Sequence, residues 1–277
     1  MRIAAAQIDI ALGQVDANVE KIKSYLRTAV SQRVNLVIFP ECALTGYCFS
    51  SREEALPLAR ELTDPVWGEL AEICGEGAPT YAVIGFLLAE GGKLFNASVL
   101  VGPTGPLSCY RKVHLPNLGV DRFVDRGDQP YAVVEAGLGD KKFRVGLAIC
   151  YDCSFPEPMR VLGLEGADII ALATNWPMAA RRTAEIVPAA RSMENHLYFV
   201  ATNRIGRERD FRFCGLSTIS GPDGVELARG SEDQEELLLV DVDLAIARNK
   251  RIERTPGSHV IDRFADRRPE FYGRVIH

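Results

Sequence analysis

The chain predicts an α/β fold: a four-layer α-β-β-α sandwich in a single domain, with helices outside two face-to-face sheets. Three observations lead there. Strand-like and helix-like segments occur in roughly equal supply along the 277 residues. The β-rich segments form two sections, each interrupted by helices. Several strands are short unbroken apolar runs, such as NLVIF at 35–39 and DIIALAT at 168–174, as expected of strands covered on both faces. No internal repeat, low-complexity tract or composition shift marks a linker.

The segments follow in order. Arg2–Ile8 reads as a strand. Val19, Ile22, Tyr25, Leu26, Ala29 and Val30 recur at helical spacing, which predicts a helix over 18–33 with Asn18 as its cap. The strand 35–39 follows, so the chain opens β-α-β with a parallel pair as the default. Glu41 stands just past that strand's C-terminal end, where α/β sheets carry ligand sites.

A loop over 42–51 precedes two helices, 52–62 and 65–74. Asp64 and Pro65 are suited to cap and start the second. Strands at 81–88, 94–101 and 107–113 are separated by the Gly- and Pro-containing turns of hairpins. After a loop over 115–129, strands are predicted at 130–135, 143–149, 168–174, 197–202, 216–220, 225–228 and 236–242. Helices fall at 157–164 and 179–196, with Pro188 a kink point. The charged, poorly periodic tail 245–277 reads as an arm.

Composition narrows the function. Hydrophobic residues are 47% and charged residues 25%, with a net charge of −5, so nothing favours nucleic acid or an anionic membrane. No apolar run is long enough for a membrane span, and the N-terminus has no signal-peptide pattern. Seven scattered cysteines fit a reducing, cytoplasmic location. No Cys/His cluster has the spacing of a metal site.

The central stretch is FRVGLAICYDCSFPE, residues 143–157. An apolar strand ends at Cys150, a tight turn follows, and a helix begins near Glu157. That order is a nucleophile elbow, in which the side chain stands clear of the sheet and backbone N–H groups face a forming oxyanion. A helix start near the sulfur is expected to favour thiolate. Cys150 and Cys153 also form a Cys-x-x-Cys pair, so a redox or scaffold role is the rival reading.

Glu41, Lys112 and Cys150 each sit at or just past a predicted strand end. Together they supply what attack on a carbonyl or nitrile needs. The carboxylate moves the proton, and the ammonium holds the oxyanion, helped by the Tyr151 backbone N–H. Of the four histidines, His196, His259 and His277 are poorly placed as bases. His114 remains open as a partner for the cysteine.

Three blocks carry a resemblance: LVIFPECALTGY around Glu41, YRKVHLP around Lys112 and GLAICYDCSFPE around Cys150. In order and spacing the sequence resembles the carbon–nitrogen hydrolase (nitrilase) superfamily, across nearly the whole of 1–277. The resemblance implies an α-β-β-α sandwich and a Glu-Lys-Cys site without cofactor or metal. It also implies a homodimer or larger homo-oligomer, with the tail 245–277 lying along a partner. Where many members carry a second glutamate, 115–127 has none, and Asp121 is the match. Its role, orienting Lys112 or assisting the base, stays open. Tyr151-Asp152 after the cysteine is similar to amidase-like branches, which favours small linear amides and water as substrates. Nitriles and N-carbamoyl amides are the alternatives. Tyr47, Asn175 and Trp176 are the expected substrate contacts, whereas Arg191, Glu194 and Asn195 are expected to form a structural ion-pair network.

Overall fold

Two six-stranded mixed sheets lie face to face, and helices cover the outer side of each. The computed structural model describes residues 1–276, and His277, weighed above as a base, lies outside the described residues. The first half of the chain supplies β1 (Arg2–Gln7), α1 (Val15–Ser31), β2 (Leu36–Ile38), α2 (Arg52–Ala55) and α3 (Val66–Cys74). It continues with β3 (Tyr81–Glu90), β4 (Lys93–Gly102) and β5 (Gly105–Arg111). The second half supplies β6 (Val133–Leu138), β7 (Lys141–Ile149), α4 (Pro156–Leu164), β8 (Ile169–Ala173), α5 (Arg181–Asn195) and β9 (Tyr198–Thr202). A short hairpin, β10 (Arg207–Glu208) and β11 (Phe211–Arg212), precedes β12 (Thr218–Ser220), β13 (Glu226–Arg229) and β14 (Glu236–Asp241). Then come α6 (Leu244–Arg248), β15 (Arg251–Thr255) and β16 (His259–Asp262).

The sheet orders are β14-β1-β2-β3-β4-β5 and β13-β12-β9-β8-β7-β6. Each has a parallel centre, β1-β2-β3 in one and β7-β8-β9 in the other, flanked by antiparallel strands. Alternation along β1 shows how the layers separate. Ile3 and Ala5 face the core between the sheets, while Ala4 and Ala6 pack with Ile22 and Leu26 of α1 and Trp67 of α3. β5 runs in the same direction as β2 and β3, because two antiparallel steps through β4 restore it. The ends of β2 and β5 therefore emerge on one edge.

Several local expectations change. α1 begins at Val15, so Asn18 is not its cap but lies buried in the first turn. Its amide is engaged by backbone instead: Oδ1 accepts from Ala11 N (2.9 Å), and Nδ2 donates to Ala11 O (2.8 Å) and Leu44 O (3.1 Å). The helix expected over 52–62 is only α2 plus a 3-10 turn, Leu56–Leu58. Pro57 lacks an N–H, and Arg60 leaves the helix to donate its backbone N–H to Leu87 O (2.8 Å). The tail carries more structure than an arm reading implies. β15 and β16 pair, and Phe264 sits between the Arg160 guanidinium (5.2 Å) and Lys250 Nζ (4.9 Å). Pro65, not Asp64, is the N-cap of α3, with Asp64 one residue earlier and still accepting from Val66 N (2.9 Å), and α5 runs through Pro188. Among the described residues no helix is long and apolar enough to cross a membrane.

Candidate active site

Glu41 leaves β2 into a loop held against β3. A Cβ at Gly85 would lie 2.4 Å from Pro40 O and 2.7 Å from Glu41 Cα, so only glycine lets β3 pass this close. Lys112 is one residue past β5, with its backbone N–H donating to Asn96 O (2.8 Å) and its carbonyl accepting from Gly127 N (2.8 Å). From there Lys112 Nζ reaches Glu41 Oε1 (2.6 Å) and Asp121 Oδ2 (2.5 Å), and all three side chains are fully buried. Asn96 of β4 ties the two acids together, donating to Glu41 Oε1 (2.7 Å) and Asp121 Oδ1 (2.9 Å). The Tyr47 hydroxyl donates to Asp121 Oδ2 (2.7 Å).

Charge burial sets the protonation of this cluster. For Lys112, burial alone disfavours the ammonium, but Asp121 and Glu41 outweigh it and hold its pKa well above the usual lysine value. For Glu41, burial comes first and raises its pKa above the ordinary carboxylate value. Lys112 opposes this and Asp121 adds to it. A lysine whose charge is favoured, beside a carboxylate with raised proton affinity, is an arrangement suited to proton transfer. Glu41 Oε2 is buried and has no hydrogen-bond partner among the described residues.

Cys150 follows β7 with φ at +43°, a left-handed conformation that a non-glycine residue adopts only under constraint. A single 3-10 turn, Cys150–Ser154, leads into α4, so the strand, sharp turn and helix of an elbow are all present. The residue is 8% exposed. Burial, then Glu41, pushes the thiol pKa well above its usual value. Lys112, the Thr174 hydroxyl and the Asn175 N–H pull the other way. Burial thus acts against the expected preference for thiolate, which leaves a role for a neighbouring base.

Behind the elbow lies a second buried carboxylate, Asp152. Its oxygens accept from Ile149 N (2.9 Å), the Tyr110 hydroxyl (2.7 Å), His114 N (3.2 Å) and the Tyr131 hydroxyl (3.1 Å). The His114 ring Nδ1 lies 2.8 Å away, and that ring stacks on Phe155 at 4.1 Å. His114 is therefore engaged by Asp152, not paired with Cys150. Asp152 joins the elbow to the segment that carries Lys112. Arg191 braces the same turn, donating from Nε to Cys153 O (2.9 Å) and pairing with Glu194 (3.1 Å).

The three expected substrate contacts have structural partners. The Tyr47 phenol is bound to Asp121, and Asn175 Nδ2 donates to the Glu41 carbonyl (2.8 Å). Trp176 is buried, with its backbone N–H donating to Asn203 Oδ1 (2.8 Å). The Tyr151 side chain turns outward, edge-on to Phe155 at 5.2 Å. Sequence reasoning missed Asn96, Asp152 and the Arg204–Glu208 pair. Glu208 accepts from Tyr47 N (2.9 Å) and Cys48 N (2.8 Å), fixing the loop that carries Tyr47. The signal for Asn96 was an amide inside a mostly apolar strand, FNASVLV, where Ser98 is the other polar residue. The redox reading loses ground. Cys150 and Cys153 are both free, and burial pushes the Cys153 thiol up to about 12.

A sandwich with a carboxylate, an ammonium and an elbow thiol gathered at one edge has the architecture of the nitrilase-like hydrolases. The chain belongs to the carbon–nitrogen hydrolase family, whose model matches residues 2–251. It is 34% identical over 274 residues to a nitrilase of Pyrococcus abyssi, covering 99% of this chain and 100% of that protein. An (R)-stereoselective amidase of Pseudomonas sp is 30% identical over 253 residues, covering 88% and 85%. The solved structure of the NitN amidase from Nesterenkonia sp. AN1 superposes with a TM-score of 0.79 at 25% identity, covering 99% of each chain. The superfamily resemblance and the α-β-β-α fold read from the sequence are thereby borne out.

Proposed function

We propose that this enzyme hydrolyses the C–N bond of a small linear amide through a thioester on Cys150. The observation that carries the reading is the buried Lys112, held between Glu41 and Asp121 and within electrostatic reach of the Cys150 sulfur. Glu41 takes the thiol proton, and Cys150 Sγ attacks the carbonyl carbon. The C–S bond forms as the carbonyl π pair moves to oxygen, where Lys112 and the Tyr151 N–H receive it. One such donor contributes about 100- to 1,000-fold in rate. The C–N bond then breaks, and Glu41 returns the proton to the departing nitrogen. Water, deprotonated by Glu41, attacks the thioester, and the acid leaves as the thiol is restored. Asp121 orients Lys112 and keeps it charged.

An amide substrate is supported by Tyr151-Asp152 after the nucleophile and by the amidases among the relatives. The Pyrococcus abyssi relative, a nitrilase, supports a nitrile as the second reading. Ammonia release from primary amides, ω-amides, N-carbamoyl amino acids and nitriles, with intact-mass analysis of quenched enzyme, separates them. The expected result is turnover of an amide class with an acyl adduct on Cys150. Full activity in Cys150→Ala would sink the reading.

The tail is proposed to pack on a second copy of the chain, a reading supported by the exposed Tyr272 and Val275, which line one groove with the exposed Val161 and Leu164 of α4. Light scattering of the full chain and of a chain ending at residue 244 checks it. Equal masses per particle, monomer for monomer, would reject it. The free cysteines support a cytoplasmic setting.

A further inference from the structure

β7 and β8 run parallel, and their last registered pair is Ile149 with Ala173. The next residues, Cys150 and Thr174, therefore leave neighbouring strands side by side. Thr174 is held in place from both directions. Its backbone N–H donates to Thr202 O (2.9 Å), and Asn175 Nδ2 donates to the carbonyl of Glu41 (2.8 Å). The Thr174 hydroxyl is fully buried and has no hydrogen-bond partner among the described residues. Buried hydroxyls are nearly always paired, so an orphan beside a nucleophile calls for a use.

We propose that the Thr174 hydroxyl is a catalytic hydrogen-bond donor to the Cys150 sulfur, engaged as that sulfur gives up its proton. The proposal rests on Cys150 being the nucleophile, as argued above. A neutral thiol is a weak acceptor, whereas a thiolate is a charged one that forms stronger hydrogen bonds. No other side chain or backbone group among the described residues competes for the hydroxyl, and its bond to the thiolate is stronger than any bond to the thiol. It therefore stabilises the attacking form more than the resting form, which is the condition for accelerating the reaction. The proton balance closes locally: it leaves Cys150 Sγ for Glu41, whose Oε2 is also unpartnered among the described residues. Lys112 then serves the substrate oxygen while Thr174 and the Asn175 N–H serve the sulfur. The electrostatics agree, since both of these donors favour the ionised sulfur against the effect of burial.

The test is Thr174→Val, which keeps the β-branched shape and removes only the hydroxyl. Glu41 and Lys112, the charged groups acting on the sulfur, stay in place. Carboxamidomethylation by iodoacetamide forms the C–S bond and releases iodide. Its rate at Cys150, read by peptide mass across pH, reports the thiolate fraction. The expected result is a shift of the profile to higher pH, with alkylation at fixed pH about tenfold slower, since a hydrogen bond to a charged group is lost. Amide turnover falls by a similar factor. Thr174→Ser restores both. Thr202→Val removes another buried, unpartnered hydroxyl and leaves the profile unchanged. A Thr174→Val profile that superposes on wild type overturns the proposal. If that variant does not fold, Thr174→Ala reads the same quantity. Failure of the parent reading looks different: Cys150→Ala would then still turn over substrate, whatever the alkylation profile.

Discussion

Glu41 and Asp152 are both fully buried acids at the same edge of the sandwich, yet they are partnered in opposite ways. Asp152 receives two backbone N–H groups, two tyrosine hydroxyls and the His114 ring, and both its oxygens are filled. Glu41 has Lys112 and Asn96 on one oxygen and nothing among the described residues on the other. The difference separates scaffold from chemistry. A carboxylate surrounded by donors locks backbone segments together. One with an oxygen unpartnered among the described residues and an adjacent ammonium is what the proposed proton transfer requires.

That comparison can be broken by exchanging each acid for its amide. Glu41→Gln keeps the shape and removes the base. Its kcat should fall by about 100- to 10,000-fold, the range of general acid–base catalysis, with circular dichroism unchanged. Near-normal turnover would remove Glu41 from the chemistry. Asp121→Asn comes next. It weakens the charge-assisted bond that holds Lys112, and a loss of about 1.5–3 kcal/mol corresponds to roughly 10- to 100-fold in kcat. Asp152→Asn should reverse the pattern. An amide there faces at least one donor with another donor, which costs about 1–3 kcal/mol of stability. Urea denaturation should register that loss clearly, whereas Glu41→Gln should show no such loss. Equal stability of the two variants would erase the distinction.

The smallest expected effect is on pH dependence. Burial raises Glu41's folded pKa above its unfolded value. Its stabilising contribution is therefore full below the unfolded value, near 4.5, and is lost as pH rises through the folded value. Glu41→Gln, neutral at every pH, should lack that loss, so its melting temperature should gain on wild type as pH rises. In activity the same shift places the acid limb of kcat/KM above the ordinary carboxylate range. A limb at 4.5 or below would mean that burial does not control this group.

Much of the site was legible because strand ends are legible. Apolar runs mark β2 and β7, hairpin turns mark β5, and Glu41, Lys112 and Cys150 follow directly. Asp121 entered only through family resemblance, and the structure brings it to 2.5 Å from Lys112 Nζ. Asn96, Asp152 and Thr174 were not legible. Each has its meaning from a strand distant in sequence: Asn96 from Glu41, Asp152 from Tyr110, Thr174 from Cys150. Tyr47 shows the same limit. An aromatic residue in a strand-end loop reads as a substrate contact, and the sequence gives no sign that its hydroxyl also donates to Asp121.

By itself the sequence determined the alternation of strands and helices, the four layers and the chemical identities of acid, cation and thiol. Those follow from periodicity and residue type, which are local properties of the chain. Only the tertiary structure decided which acid is saturated, which hydroxyl is left over and how burial acts on the thiol. These depend on desolvation and on hydrogen-bond partners drawn from separate strands, and both exist only once the sheets have closed over them.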